Sequence, residues 1–189
     1  MKKLIVAAIM AVALNAAPSL AGSDQSDSDN PDSNYIGVFY PRIDFRGDTG
    51  NTFRGMGVRF GSSKANVLGG ELSVFKVSQD TGSGAKTEFT GITYDLKLSL
   101  PLSPLVAPYG LVGLGRYVLE YPQTVYRGNS NGSGINGYQV GFGLNVNLSI
   151  FTLNGGYTRR RMEFDSGTPG DVEMRMQART FDIGLAVHF

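Results

Sequence analysis

The clearest structural signal in this sequence is residues 138–148, which read YQVGFGLNVNL. Apolar side chains fall on every second residue, and Gln, Gly and Asn occupy the alternate positions. A period of two is typical of a β-strand whose two faces meet different surroundings, because successive side chains point to opposite sides. The stretch is therefore predicted to form a strand with one aromatic and aliphatic face and one face of small and polar residues.

The same alternation recurs from Tyr35 to the last residue. Residues 181–189, FDIGLAVHF, place five apolar side chains on one face and Asp, Gly, Ala and His on the other. The pattern predicts eight strands, near 35–43, 52–61, 67–77, 88–100, 107–118, 135–148, 150–162 and 174–189. Short turns are predicted at 61–65, 101–104 and 149, and longer polar loops at 44–51, 79–87, 120–134 and 163–173. An even strand number with short turns at one end and longer loops at the other is typical of outer-membrane barrels.

The composition of the two faces indicates which one points outward. The polar face holds mostly Gly, Asn, Thr and Ser, which suit the crowded interior of a narrow barrel. A soluble lipocalin-like carrier would instead need long polar side chains on that face. The apolar faces together form a continuous band that requires lipid around it. The predicted fold is therefore all-β, an eight-stranded antiparallel up-and-down transmembrane β-barrel.

The N-terminus has the order of a secretory signal peptide. Two lysines precede an apolar run from Leu4 to Leu14, and small residues follow up to Ala21. The run is shorter than the ~20 residues that a membrane-spanning helix needs. We predict a signal peptide over 1–21, cleaved near Ala21, then a disordered acidic leader over 22–34 and a barrel domain over 35–189. This order predicts Sec-type export to the bacterial outer membrane.

Two segments resemble a known family. The alternating strand that ends at Phe189 resembles the C-terminal strand of outer-membrane proteins, and residues 108–115, PYGLVGLG, resemble a mid-barrel strand of the small OmpA/OmpX/Opa-like barrels. The resemblance covers roughly residues 35–189. It implies insertion into the outer membrane, with Phe189 as the signal recognised by the barrel-assembly machinery.

Charged residues on the small-residue face are expected to point into the lumen. They are Arg59, Glu71, Asp95, Lys97, Arg116, Arg160 and Asp182. The fifth strand is ambiguous, because both of its faces carry small and aliphatic residues; we place Arg116 inward, which puts Tyr109, Leu111 and Tyr117 outward. A buried charge without a partner is costly, so these groups are expected to form ion pairs that fill the lumen. A gated ion pathway along the same residues is the alternative.

Other basic residues fall on the lipid-facing side. They are Arg54, Lys76, Arg159, Arg161, Arg175 and Arg179. A spanning strand needs about 9–11 residues, which places these side chains at the outer leaflet. Because arginine binds phosphate through a bidentate fork, Arg159, Arg161, Arg175 and Arg179 are predicted to contact lipopolysaccharide phosphates. Snorkelling without a specific lipid stays open as the alternative.

Composition argues against several function classes. The chain has no Cys, one His and a formal net charge of +1, so no metal, cofactor or nucleic-acid partner and no catalytic residue is predicted. Lipid A-modifying barrels resemble serine hydrolases with a His at the extracellular rim, whereas His188 is expected at the periplasmic end. We predict a non-enzymatic protein that supports the envelope or presents loops for adhesion and surface interaction. Tyr121, Tyr126 and Arg127 in the longest loop either contact a host or surface ligand or pack on the barrel rim.

Overall fold

The protein forms one closed barrel of eight antiparallel strands. The computed structural model describes residues 33–46, 52–64, 67–80, 86–120, 135–164 and 175–189. Each strand pairs with the next, and the last pairs with the first. The strands are β1 (Ser33–Phe45), β2 (Thr52–Lys64), β3 (Leu68–Asp80), β4 (Lys86–Ser99), β5 (Val106–Glu120), β6 (Ile135–Leu148), β7 (Phe151–Phe164) and β8 (Arg175–His188). The predicted eight-stranded up-and-down barrel is confirmed. None of the described residues forms a helix long and apolar enough to cross a membrane.

Five strands, β1, β3, β4, β5 and β7, are longer than predicted at the end where the longer loops lie, whereas β2 gains residues 62–64 at the short-turn end. β3 and β4 both continue into the predicted loop 79–87 and leave only 81–85 between them. Their cross-strand pairing reaches Asp80 and Lys86. Backbone pairing does not depend on apolar side chains, so a strand can continue beyond the part of its sequence that alternates clearly.

The start of β1 and the end of β8 meet at the short-turn end of the barrel. Asn34 and Phe189 exchange two backbone hydrogen bonds, of 3.2 and 2.9 Å. The predicted leader therefore extends too far, since Ser33 and Asn34 belong to β1 and pair with β2. Residues 1–21 and 22–32, the predicted signal peptide and the rest of the leader, lie outside the described residues. The assembly role of Phe189 stays a prediction.

The outer wall of the lower barrel, on the short-turn side, is apolar as the alternation predicts. Phe142 on β6 and Ile183 on β8 are each 65 % exposed. Inward positions on the same strands hold Gly, Gln, Asn and Ala. Apolar side chains are stable on this surface because lipid rather than water surrounds the wall of a membrane barrel.

The face assignment of β5 was wrong. Arg116, predicted to face the lumen, is exposed on the outer wall, whereas Tyr109 and Tyr117, predicted outward, are buried inside; Leu111 shares their side of the strand. The physical reason is space. A Cβ atom at Gly115 would lie 2.3 Å from the hydroxyl oxygen of Tyr117, so the glycine makes room for this ring inside the barrel.

An apolar core fills the end of the barrel near the long loops. We call this core the outer plug; its buried members are Phe39, Ile43, Phe53, Phe75, Val77, Phe89, Tyr117, Ile135, Met162 and Ala178. Every strand contributes at least one of these side chains. The rings of Phe89 and Tyr117 stack with centroids 5.4 Å apart. This plug was not predicted from the sequence, because the polar faces of the strands indicated small and charged residues throughout the lumen.

Candidate functional site

Four charged side chains meet in the lumen below the outer plug. We call them the lumen charge cluster: Arg59, Glu71, Lys97 and Asp182. The Arg59 guanidinium lies 3.0 Å from an Asp182 carboxylate oxygen and 3.6 Å from Glu71. The Lys97 ammonium lies 3.1 Å from Glu71, and the Tyr35 hydroxyl donates to Glu71 at 2.6 Å. Two cations thus face two anions, which is how buried charges become tolerable.

A second pair of lumen charges is joined by a neutral amide. Arg160 donates from Nε to the side-chain oxygen of Gln139 at 2.8 Å, and the Gln139 amide nitrogen donates to Asp95. The Thr93 hydroxyl also donates to Asp95, at 3.2 Å. Gln139 therefore satisfies both a cation and an anion without direct contact between them.

Aromatic rings lie against the lumen cations. The Arg160 guanidinium lies 4.6 Å from the ring centroid of Phe75, and the Lys97 ammonium lies 4.2 Å from that of Tyr109. Cations are attracted to ring faces within about 6 Å. Since Phe75 also belongs to the outer plug, the charged layer and the apolar layer are packed directly on each other.

Six of the seven charged residues predicted in the lumen lie there. They are Arg59, Glu71, Asp95, Lys97, Arg160 and Asp182. Arg116 is the exception. Without it the lumen holds three cationic and three anionic side chains, whereas four cations and three anions were predicted. Tyr35 and Gln139 complete the network but were not predicted, because an uncharged residue on the polar face of a strand carries no distinctive sequence signal.

A cavity of about 690 Å³ opens at the short-turn end of the barrel. In outer-membrane barrels this end faces the periplasm. Serine, asparagine and threonine side chains supply much of the wall, and Lys97 also lines it. Beyond the lumen charge cluster, the outer plug occupies the opposite end.

His188 lies on the wall of this cavity, at the short-turn end of β8. Its Nε2 lies 2.9 Å from the Thr152 hydroxyl, which also donates to Asn147 at 2.9 Å. Its ring is tilted by 39° from the ring of Tyr35, and the two ring centroids lie 5.4 Å apart. Among the described residues, no group of three or more His, Cys, Asp or Glu could hold a metal ion.

The outer wall changes from apolar to charged toward the long-loop end. On β8, Ile183 and Phe181 are followed outward by Arg179 and then Arg175. The same change occurs on β1, β2, β3, β5 and β7, so that most strands carry a basic residue at this end of the outer wall. These residues, the outer basic belt, are Arg42, Arg54, Lys76, Arg116, Arg159, Arg161, Arg175 and Arg179. At this height the inward side chains are those of the outer plug.

Two pairs of arginines in the belt lie directly opposite each other on neighbouring strands. Arg159 pairs in register with Arg179, and Arg42 pairs with Arg54. Like charges in this position repel and destabilise a sheet. Asp44 supplies an anion to Arg42 at 3.4 Å and lies opposite Arg179 in register, whereas no described carboxylate lies within ion-pair distance of Arg159.

The belt divides into matched and unmatched cations. Arg175 lies 3.5 Å from Glu163, Lys76 lies 2.6 Å from Glu88, and Arg42 lies 3.4 Å from Asp44. Arg161 has a neutral partner instead, because its guanidinium donates a hydrogen bond to the Tyr138 hydroxyl at 3.1 Å. Within the part of the chain that the structure describes, Arg159, Arg161 and Arg179 form no ion pair. The structure thus brings three of the four predicted lipopolysaccharide contacts together and places Arg175 beside a carboxylate.

The predicted loop contacts Tyr121, Tyr126 and Arg127 lie outside the described residues.

Solved structures with this architecture are outer-membrane barrels. The structure of Ail, the attachment invasion locus protein of Yersinia pestis, in complex with the heparin analogue sucrose octasulfate has a TM-score of 0.56 at 18 % identity, and the match covers 84 % of this chain and 97 % of that one. Neisserial surface protein A has a TM-score of 0.53 at 14 % identity, with coverage of 84 % and 97 %. The N-terminal β-barrel domain of Pseudomonas aeruginosa OprF has a TM-score of 0.50 at 12 % identity, with coverage of 84 % and 100 %.

A family model gives the broader assignment. The model described as Outer membrane protein beta-barrel domain matches residues 4–189, nearly the whole chain. No curated protein matches the sequence. The bacterial outer membrane is the location to which this family points, and the resemblance seen in the C-terminal strand is confirmed. The chain therefore belongs to the outer membrane protein β-barrel domain family.

Proposed function

We propose that this protein is a non-enzymatic outer-membrane barrel, closed to solutes, that holds its extracellular rim above the lipid and presents loops for adhesion or other surface contact. The observation that carries the proposal is the reversal of polarity along the wall. Charged outward side chains and an apolar interior are the arrangement of a barrel in water. The wall from Arg179 to Arg175 rises on the order of 10 Å, at ~3.3 Å per residue on a tilted strand.

A surface ligand is part of this proposal. Ail, which has the same fold, is named as an attachment invasion locus protein and binds a heparin analogue in one structure. A rigid rim above the lipid suits loops that contact other molecules, because binding residues are often carried on loops of a rigid scaffold. Assembly through the C-terminal strand by the barrel-assembly machinery belongs to the same proposal.

Closure of the lumen is tested by electrical recording. Wild-type protein in planar bilayers is expected to give at most small and erratic conductance, because the lumen charge cluster and the outer plug occupy the barrel interior. A general porin inserted in the same membrane is the positive control. A stable conductance of general-porin size would favour the channel alternative and contradict the proposal.

We further propose that Arg159, Arg161 and Arg179 hold phosphate groups of lipopolysaccharide. Two observations support this proposal. Arg159 and Arg179 lie opposite each other, and a bound phosphate would relieve their repulsion. Arg161 also contacts the hydroxyl of Tyr138, an aromatic residue of the kind that lies at the membrane interface. Arg42 lies on β1, one strand beyond Arg179, but its ion pair with Asp44 keeps it outside the patch. The carboxylate of Glu163 makes Arg175 the weakest of the four predicted contacts.

The lipid proposal predicts a loss of co-purified lipopolysaccharide. The triple variant Arg159→Gln/Arg161→Gln/Arg179→Gln is expected to retain roughly tenfold less than wild type, since losing about 1.4 kcal/mol of phosphate binding weakens affinity tenfold. Mass spectrometry of the purified protein measures the amount bound. The control Lys64→Gln/Lys76→Gln/Lys86→Gln removes the same charge elsewhere and should retain lipid. Equal retention by both triple variants would leave only unspecific snorkelling, and Arg175→Gln tests the fourth predicted contact separately.

A further inference from the structure

The outer wall of β6, β7 and β8 carries a row of three aromatic side chains next to the arginines that we propose to hold phosphate. Phe142, Tyr157 and Phe181 lie in register across these strands. The ring centroid of Tyr157 lies 5.5 Å from that of Phe142 and 4.9 Å from that of Phe181. Arg159 is the next outward residue of β7 toward the long loops. The wall therefore changes from cationic to aromatic within one step along the strand.

Two tyrosine hydroxyl groups lie beside these cations. Arg159 donates from Nε to the Tyr157 hydroxyl at 3.2 Å, and Arg161 donates to the Tyr138 hydroxyl at 3.1 Å. Each hydroxyl oxygen accepts through a lone pair, so its own O–H is still a donor. A lipid whose phosphate lies on the arginines would therefore meet O–H donors at the level of its polar linkage.

On the short-turn side of the aromatic row, the outer wall has a notch at Gly155. A Cβ atom added there would have the Asp182 carbonyl oxygen as its nearest neighbour on another strand, at 3.9 Å, and no side chain of another strand within 4 Å. Leu144 and Ile183 flank the glycine in register, and both are exposed on the wall. The notch thus has a backbone floor and apolar sides. Its lining gains packing contacts only when an apolar group fills it.

We infer that an acyl chain of lipopolysaccharide lies in the notch at Gly155. This inference rests on the proposed function, in which the phosphates of the same lipid contact Arg159, Arg161 and Arg179. From Arg159 to Gly155 the strand advances four residues, ~13 Å at ~3.3 Å per residue. Along this path the wall offers cations, then a tyrosine hydroxyl, then an apolar notch. Phosphate, polar linkage and acyl chain follow one another in the same order in the lipid, so one molecule matches all three features.

The variant Gly155→Leu fills the notch and leaves every arginine in place. Wild type and variant in detergent micelles are titrated with diphosphoryl lipid A, and native mass spectrometry measures the fraction of protein that carries one lipid. We expect the affinity of the variant for lipid A to fall at least about threefold, because the chain loses its packing contacts. The fully deacylated headgroup, which keeps both phosphates, should bind wild type and variant equally in an NMR titration. Unchanged affinity for lipid A, or an equal loss for the headgroup, would overturn the inference.

Gly110→Leu is the matched control. Gly110 is also an exposed glycine of the outer wall, and the nearest atom of another strand to an added Cβ would be the Gly141 carbonyl oxygen, at 4.0 Å. The nearest basic residue on its face of β5 is Arg116, six residues away. Gly110→Leu should therefore bind lipid A like wild type. A loss equal to that of Gly155→Leu would mean that any added side chain on the wall weakens binding, and would overturn the assignment.

The triple variant Arg159→Gln/Arg161→Gln/Arg179→Gln separates this inference from the phosphate proposal. Wild-type binding of both lipid A and the headgroup by the triple variant would contradict the phosphate contacts, whereas the result for Gly155→Leu alone decides the notch. Gel mobility of unboiled samples shows whether each variant is folded. If Gly155→Leu does not fold, Ile183→Trp covers the notch from β8. The same threefold loss for lipid A supports the inference, and unchanged affinity contradicts it.

Discussion

Replacing Glu71 with Gln is expected to destabilise the folded barrel by about 3–5 kcal/mol, the cost of breaking a buried ion pair. Glu71 is the anion shared by Arg59 and Lys97, and the Tyr35 hydroxyl and the Ser73 hydroxyl also donate to it. Removal of its charge leaves two cations buried with only Asp182 to balance them. The remaining cluster would be both electrostatically unbalanced and short of an acceptor.

Denaturant titration of the refolded protein measures this loss, with far-UV circular dichroism and gel mobility of unboiled samples as probes. The chain has no Trp, so indole fluorescence cannot serve. Glu88→Gln is the matched control, because Glu88 forms its ion pair with Lys76 on the outer wall. Exposed pairs contribute about 0–1 kcal/mol. Similar free energies of unfolding for the two variants would contradict a central structural role of Glu71.

The second large effect is expected for Phe75→Ala, which should lower the free energy of unfolding by about 3–5 kcal/mol. Phe75 lies at the centre of the outer plug. Its ring centroid is 6.0 Å from that of Phe89 and 6.3 Å from that of Tyr117, and Arg160 lies over its face. Truncation would leave a cavity and expose the guanidinium to it, because neighbouring strands hold the surrounding side chains in place.

Phe142→Ala is the control for this second prediction. Phe142 has the same side chain but faces lipid, with 65 % of its surface exposed. Lipid chains or detergent can fill the space that its ring leaves, so the loss should be less than half that of Phe75→Ala. The same denaturant titration compares the two variants. Equal losses would mean that the outer plug is not packed as a core.

The lower barrel could be predicted from the sequence because lipid imposes a simple rule. Every outward residue there must be apolar, and every inward one must be small or paired, so Phe142 and Ile183 reveal their faces by alternation alone. The rule does not identify the inward face of β5, because both faces of that strand carry small or aliphatic residues. The useful signal was Gly115, since a glycine beside an aromatic residue of the same face indicates a crowded interior.

The outer plug was not predicted because the two faces of the strands exchange character along the barrel. The alternation continues toward the long loops, but there the outward residues are charged and the inward residues are apolar. Arg179 and Arg161 were correctly placed outward, which implies that their sequence neighbours Ala178 and Met162 lie in the interior. Partners across strands depend on register, which one sequence does not supply. Register is what places Arg159 opposite Arg179 and Arg175 beside Glu163.

The outer plug also bears on how the barrel closes. Because all eight strands contribute to it, the plug is complete only when β1 and β8 are paired. Parting β1 from β8 would therefore break hydrogen bonds and wet the apolar side chains at once. We therefore expect the plug to oppose separation of β1 from β8 toward the lipid, because backbone hydrogen bonds and apolar packing would be lost together.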